Sequence, residues 1–443
     1  MAEVFANVHD RPATPPQVSD TSPSARDIHV VKVLDAAKIR GLRLSPTDHA
    51  GERTACYFTA AGRQLALDGE AHKLLQSTIF RIADMQEYRD QLGIEYLYDL
   101  AIAWLQARIE SPVSTVASFT SFLLARVASD VCDRELWLPL PVVQFDVEFT
   151  IGQVAFRRIT KAMMDDLAST SKVDDEPEQR VSFGRLRSQL QATGAACVSV
   201  RAEPHRARMV AEERAELSVA MLRLACPAIL TPHQWAPIYP TELEQLHSST
   251  VLEIRDGRIS SVESAIHPRM LGQWRITSAV HNRYMRLVWK FAHVLLTKPR
   301  NEFQETVLGA MLQYSRSLLK ADASERLLYV ISALEAVFVS KGEPIGQALR
   351  ERIAILKAPP AEDRVAFMRL VTEVYEHRSA FVHRGLGLSD PTLLERFLVE
   401  AWSTLIFVLN NHDKWRTKDE FLNALDHHKF AAPMFSTRGM TAV

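Results

Sequence analysis

The 443 residues exceed one ordinary domain and suit two or three. With 47% hydrophobic and 24% charged residues, and 52 Lys and Arg against 53 Asp and Glu, the chain can bury a core, which excludes disorder as its main state. A formal net charge of -1 excludes a uniformly cationic coat for nucleic acid or membrane and leaves only local patches to consider.

Cys56, Cys132, Cys197 and Cys226 are far apart, with no C-x-x-C pair and no histidine at zinc-ligand spacing. Neither a disulfide scaffold nor a structural zinc site is expected, and no cofactor is implied. The first residues lack a basic stretch followed by an apolar one, and no segment reaches about 18 uninterrupted apolar residues. A reducing, cytoplasmic setting without a membrane partner follows as an expectation.

In chain order, residues 1–27 include the Pro, Ser and Thr rich stretch Arg11–Arg26 and are expected to be a disordered tail. Residues 28–168 read as a mixed helical and β domain. A β-branched run at Ile28–Val33 opens it, and helical spacing follows from about Glu70 to Val131, as in Tyr96, Leu100 and Trp104. Alternation from Trp137 through Phe145–Phe149 to Val154–Phe156 then predicts strands around a turn at Gly152-Gln153. Ala168–Arg180 is polar, acidic and interrupted by Pro177, which predicts a loop or linker.

Residues 169–300 read as an α+β middle region. A strand is expected at Cys197–Val200, a helix at about Ala207–Cys226, and a hairpin turning at Asp256-Gly257. Between Val251 and Arg300 nine Lys and Arg face three Asp and Glu. Arg275, Arg283, Arg286 and Lys290, from this basic stretch, are candidates to guide a polyanion such as RNA, with surface solubility as the alternative.

From residue 301 to 430 the pattern is helical. Helices are expected at about Glu302–Leu319, Ala323–Val339, Gln347–Leu356, from Glu362 onward, and from Asp390-Pro391 to about Asn410. Asp322 with Glu325 suggests a capping box, Gly342 a stop, and Pro359-Pro360 a break. Residues 431–443 are expected to form a flexible tail. The fold class is therefore α+β multidomain, mixed in its N-terminal and middle regions and all-α toward the C-terminus.

Within the helical region, Tyr375-Glu376-His377-Arg378-Ser379-Ala380-Phe381-Val382-His383-Arg384-Gly385 sets an arginine five positions before a histidine. With 39 Arg and 15 His, about one such pair is expected by chance at any one spacing, so the context must carry the reading. That context is the helix Leu327–Phe338, a Gly/Pro loop, a short helix, and this segment ahead of another long helix. Together they resemble the HEPN superfamily, in particular the HEPN domains of ApeA-type antiphage proteins, over about Asn301–Asp413.

The resemblance implies a metal-independent endoribonuclease in which Arg378 and His383 are catalytic, working as a homodimer in antiphage defence or as a toxin, with RNA as substrate and tRNA as one candidate class of it. Ser379 stands where many members carry Asn, Asp or His. Ser379, Glu376, Arg384 and Glu335 are candidates for support, the first 300 residues would sense a trigger or restrain the C-terminal domain, and an inhibitor or trigger molecule is a candidate partner. The chemistry is self-consistent. RNA supplies its own 2′-hydroxyl nucleophile, an imidazole titrates near neutrality, and a guanidinium fits phosphate oxygens in two-point contact.

Residues five apart on a helix are about 140° and about 7.5 Å apart, so Arg378 and His383 diverge on a straight helix. Either the helix loosens before Gly385, or two copies meet about a two-fold axis. The plainer alternatives are that both cations decorate a helix C-terminus, that Glu376, His377 and Arg384 are a solvated helix end, and that the region only binds RNA, a nucleotide or a protein. His427-His428 is discounted as a metal pair, because adjacent helical positions do not face one ligand.

Overall fold

The computed structural model describes residues 31–34, 56–60, 63–67, 69–110, 119–170, 177–239, 248–255, 258–266, 272–357, 361–388 and 390–428. The two expected tails, the Asp256-Gly257 turn and Pro359-Pro360 lie outside them. The chain forms two compact units, Met1–Leu136 with Ser199–Ala211, and Trp137–Val198 with Glu212–Val443. The divisions thus fall inside secondary structure rather than at the polar stretch 168–180 or at residue 300.

The first unit holds β1 (Val31–Leu34), β2 (Cys56–Ala60) and β3 (Arg63–Leu67) in an antiparallel sheet of order β1-β3-β2. Helices α1 (Gly69–Ala83), α2 (Ile94–Glu110) and α3 (Phe119–Asp130) bury Ile79, Ile82, Leu97, Leu100 and Leu123 in one core. Tyr96 and Trp104, read from the helical period, lie on α2 and pack against that core. Tyr96 Oη donates to Asp130 at 2.7 Å, which ties α2 to the end of α3. The buried Glu203 carboxylate accepts from Gly93 N at 3.2 Å, His205 N at 2.7 Å and Arg206 N at 2.6 Å, so its charge is met by three N–H groups.

β4 (Cys132–Leu140) leads into the second unit, where β5 (Val143–Phe145), β6 (Phe149–Ile151) and β7 (Val154–Arg158) follow. Residues 146–148, expected to be extended, form the connection between β5 and β6 instead. Gly152 has φ +63° in the two-residue turn that pairs Ile151 with Val154, a conformation suited to glycine. The described ends of the expected linker are helical: Ala168–Thr170 close α4 (Lys161–Thr170), and Pro177 opens α5 (Pro177–Leu190). Proline is tolerated there because the first helical N–H has no partner in any case.

β8 (Gly194–Ala202) joins the sheet of order β4-β8-β7-β6, and α6 (Pro204–Arg223) follows close to its expected bounds. β9 (Ser248–Arg255) and β10 (Arg258–Ile266) pair antiparallel, with Arg258 opposite Arg255. β11 (Trp274–Ile276) pairs parallel with β5.

From Ser278 onward the described residues contain helices and no strand. α7 (Ser278–Tyr284), a π-turn (Met285–Trp289) and α8 (Lys290–Thr297) run together. α9 (Glu302–Arg316) opens with a full capping box, Asn301 Oδ1 to Gln304 N at 2.9 Å and Gln304 Oε1 to Asn301 N at 3.0 Å. α10 (Ala323–Phe338) is capped by Asp322, which accepts from Glu325 N at 2.9 Å, but the Glu325 carboxylate turns to Lys320 at 3.4 Å rather than completing a box. Gly342 is not the stop: α10 ends at Phe338, and Gly342, φ +88°, lies in the turn beyond.

α11 (Ile345–Lys357), α12 (Ala361–Arg384), α13 (Pro391–Asn410) and α14 (Lys418–His428) complete the region. Asp390 caps α13 through Thr392 N at 2.9 Å, with Pro391 in the first turn as expected. Arg352 on α11 is the main polar tie. It donates to Phe338 O at 2.8 Å, to Glu343 at 2.6 and 2.9 Å, and to Asp426 on α14 at 3.2 and 2.9 Å. Lys418 Nζ caps the same end of α10 through Val339 O at 2.6 Å. Among the described residues no helix is long and apolar enough to cross a membrane.

Candidate functional site

α12 is one uninterrupted helix of 24 residues. Phe367, Leu370, Val371 and Val374 are buried at the i, i+3, i+4, i+7 spacing, which fixes its rotation against the bundle. The helix persists through His383 and Arg384 and ends at Gly385, φ +67°, whose N–H donates to Phe381 O at 2.9 Å. This is the left-handed glycine cap, and it removes the alternative in which the helix loosens between Arg378 and His383.

Arg378 is half-buried and faces α10, with Nη2 4.0 Å from Glu335 Oε1 and side-chain exposures of 25% and 20%. That separation is too long for a hydrogen bond, and Glu335 Oε1 is buried without a hydrogen-bond partner among the described residues. Burial raises the Glu335 carboxyl above its ordinary range, and the Arg378 charge opposes the shift. The guanidinium also lies 5.6 Å from the centroid of the Tyr375 ring. Tyr375 in turn rests on Gly346 at the start of α11, where a Cβ would come within 3.3 Å of the ring. Arg378 is thus positioned by an aromatic face and a carboxylate, with donors left free of close partners among the described residues.

His383, Arg384 and Glu376 are exposed, and Ser379 is half-buried. Among the described residues no hydrogen bond or ion pair joins Arg378 to His383. The structure therefore brings Arg378 and Glu335 together and leaves His383 at the solvent-facing end of the same helix, beside the exposed Val382 and Leu386. Tyr375 had no role in the sequence reading; its i, i+3 spacing to Arg378 was the available signal.

The four basic candidates divide. Arg275 on β11 donates from Nε to both oxygens of Asp146 at 2.9 Å, so its charge is already engaged. Arg283, Arg286 and Lys290 are exposed, on α7, the π-turn and α8. Among the described residues no group of three or more His, Cys, Asp and Glu is placed to hold a metal ion. No family model, no curated protein and no solved structure matches this chain.

Proposed function

We propose that the C-terminal helical region is a HEPN-type endoribonuclease, with Arg378 and His383 as its catalytic residues, and that it works as a homodimer. The supporting observation is the state of Arg378: it is half-buried and oriented by Tyr375, yet lies 4.0 Å from the Glu335 carboxylate without a hydrogen bond to it. A guanidinium held this way can grip a phosphate without first breaking a strong ion pair.

In the proposed reaction the RNA 2′-hydroxyl loses its proton to a base and attacks the adjacent phosphorus. The P–O5′ bond breaks, the leaving 5′-oxygen takes a proton, and the product carries a 2′,3′-cyclic phosphate. His383 serves as the proton acceptor or donor, and Arg378 stabilises the charge on the phosphoryl oxygens. Because the two residues diverge along a continuous helix, a complete site takes Arg378 from one copy and His383 from another. A role in antiphage defence or as a toxin, with tRNA as one substrate class, rests on the HEPN resemblance alone.

The same divergence favours a second reading, in which a single copy binds RNA or a protein without cutting it. Incubating wild-type protein, His383→Ala and Arg378→Ala with mixed tRNA and single-stranded RNA in EDTA separates the two. Cleavage is expected from the wild type, with cyclic ends and a loss of about 10²–10⁴-fold in the His383 variant. Cleavage that survives both substitutions removes the assignment, and RNA retention without strand breaks favours the binding module.

A further inference from the structure

From Ser264 to Asn301 the sequence contains seven Lys or Arg and no Asp or Glu. The helical part of this stretch runs from Ser278 to Thr297 through a π-turn at Met285–Trp289. Val288, Trp289, Ala292 and Leu295 are buried along one side, with Trp289 stacked on Phe149 at 4.8 Å and 11°. That packing anchors the inner face and turns Arg283, Arg286 and Lys290, at i, i+3 and i+7, outward.

None of these three has a carboxylate partner among the described residues. Among the described residues Arg286 uses only Nε, donating to Asn282 O at 3.3 Å, which leaves both terminal nitrogens available. By contrast Arg275 is taken up by Asp146, and Arg300 by Glu305 at 2.7 Å. The free cations therefore form a row about 10 Å long on successive turns of a rigidly seated helix. A row of unpaired cations with no neighbouring acid in sequence attracts a chain of phosphates, and a packed helix presents it without an ordering cost.

We infer that Arg283, Arg286 and Lys290 form a second nucleic-acid contact, outside the HEPN-like region, that holds the sugar-phosphate backbone of single-stranded RNA. The choice of RNA rests on the proposed activity of Arg378 and His383; the cationic row does not. Its contacts go to phosphate, so it adds affinity without sequence preference.

The test measures binding of a fluorescein-labelled single-stranded RNA of mixed sequence to the full chain carrying His383→Ala, from 50 to 200 mM salt. The Arg283→Gln/Arg286→Gln/Lys290→Gln triple variant is expected to bind on the order of tenfold more weakly, and to lower the slope of log affinity against log salt by about 2, near 0.7 for each phosphate contact. Replacing Lys161, Arg185 and Lys341 by Gln is expected to leave both quantities unchanged, and Arg283→Lys/Arg286→Lys to retain the slope. Unchanged affinity and slope in the triple variant, with circular dichroism confirming its fold, would overturn the inference. So would an equal loss in the control triple. Cleavage by the otherwise wild-type chain is scored separately, so a nuclease without this contact and a contact without a nuclease give different results.

Discussion

We predict that Arg352→Met loosens the helical region by removing one side chain that joins three elements. Its side chain is 8% exposed, whereas those of Glu343 and Asp426 are 32% and 48% exposed. Breaking a fully buried ion pair costs about 3–5 kcal/mol. Here both carboxylates regain water when the arginine is gone, which lowers the expected cost to about 2–3 kcal/mol. With a urea m-value of about 3 kcal/mol per molar, the midpoint falls by roughly 0.7–1 M. Tryptophan fluorescence reads the right unit, because six of the seven tryptophans lie in Trp137–Val198 and Glu212–Val443.

The pH dependence supplies a sign. Hydrogen bonds from Arg352 hold the Glu343 carboxyl below its ordinary range. A depressed acid stabilises the fold above its unfolded value, about 4.3, and the contribution is lost as pH falls through the folded value. The difference between wild type and Arg352→Met should therefore be level from neutrality to about pH 5 and shrink below about pH 4. A midpoint shift under about 0.2 M, or a difference that grows in acid, would refute the reasoning.

Mixing chains carrying Arg378→Ala with chains carrying His383→Ala should restore about a quarter of wild-type cleavage if each site draws on two copies, and none if each site lies within one. Glu335→Gln should stabilise the fold at pH 7 and match wild type below about pH 4, because burial penalises the charged carboxylate; urea titrations at both pH values check this. Asn301→Ala removes the capping box of α9 and should cost about 1 kcal/mol, read as a lower urea midpoint. Gly194→Ala places a Cβ against the Phe145 ring and 2.7 Å from Val143 O, so a loss of about 2–3 kcal/mol is expected by the same measurement.

What the sequence revealed was governed by near neighbours. Asp322 and Asp390 cap helices through N–H groups two or three residues away, and the α12 stripe repeats every three or four residues, so both follow from local chemistry. The parallel pairing of β11 with β5 joins segments more than a hundred residues apart, and Arg352 meets Asp426 across 74 positions. No local pattern announces either. The candidate site shows the same split. The spacing placed Arg378 and His383 on one helix, whereas the seat of Arg378 depends on Glu335 and, through Tyr375, on Gly346, which other helices bring in.

Arg326 on α10 is fully buried, and among its described contacts there is no carboxylate. Its terminal nitrogens donate instead to the carbonyls of Ala228, Ile229, Thr231 and Gln234, at 2.6 to 3.2 Å, and burial brings its pKa down to about 10. Such a cation grips the path of the main chain rather than any side chain along it. Residues 228–234 can therefore change side-chain identity without loosening the grip, provided the carbonyls keep their course, whereas Arg326 itself has no substitute of equal reach: lysine brings one nitrogen where this arrangement engages two. The constraint is concentrated in one residue, and its partners are spared.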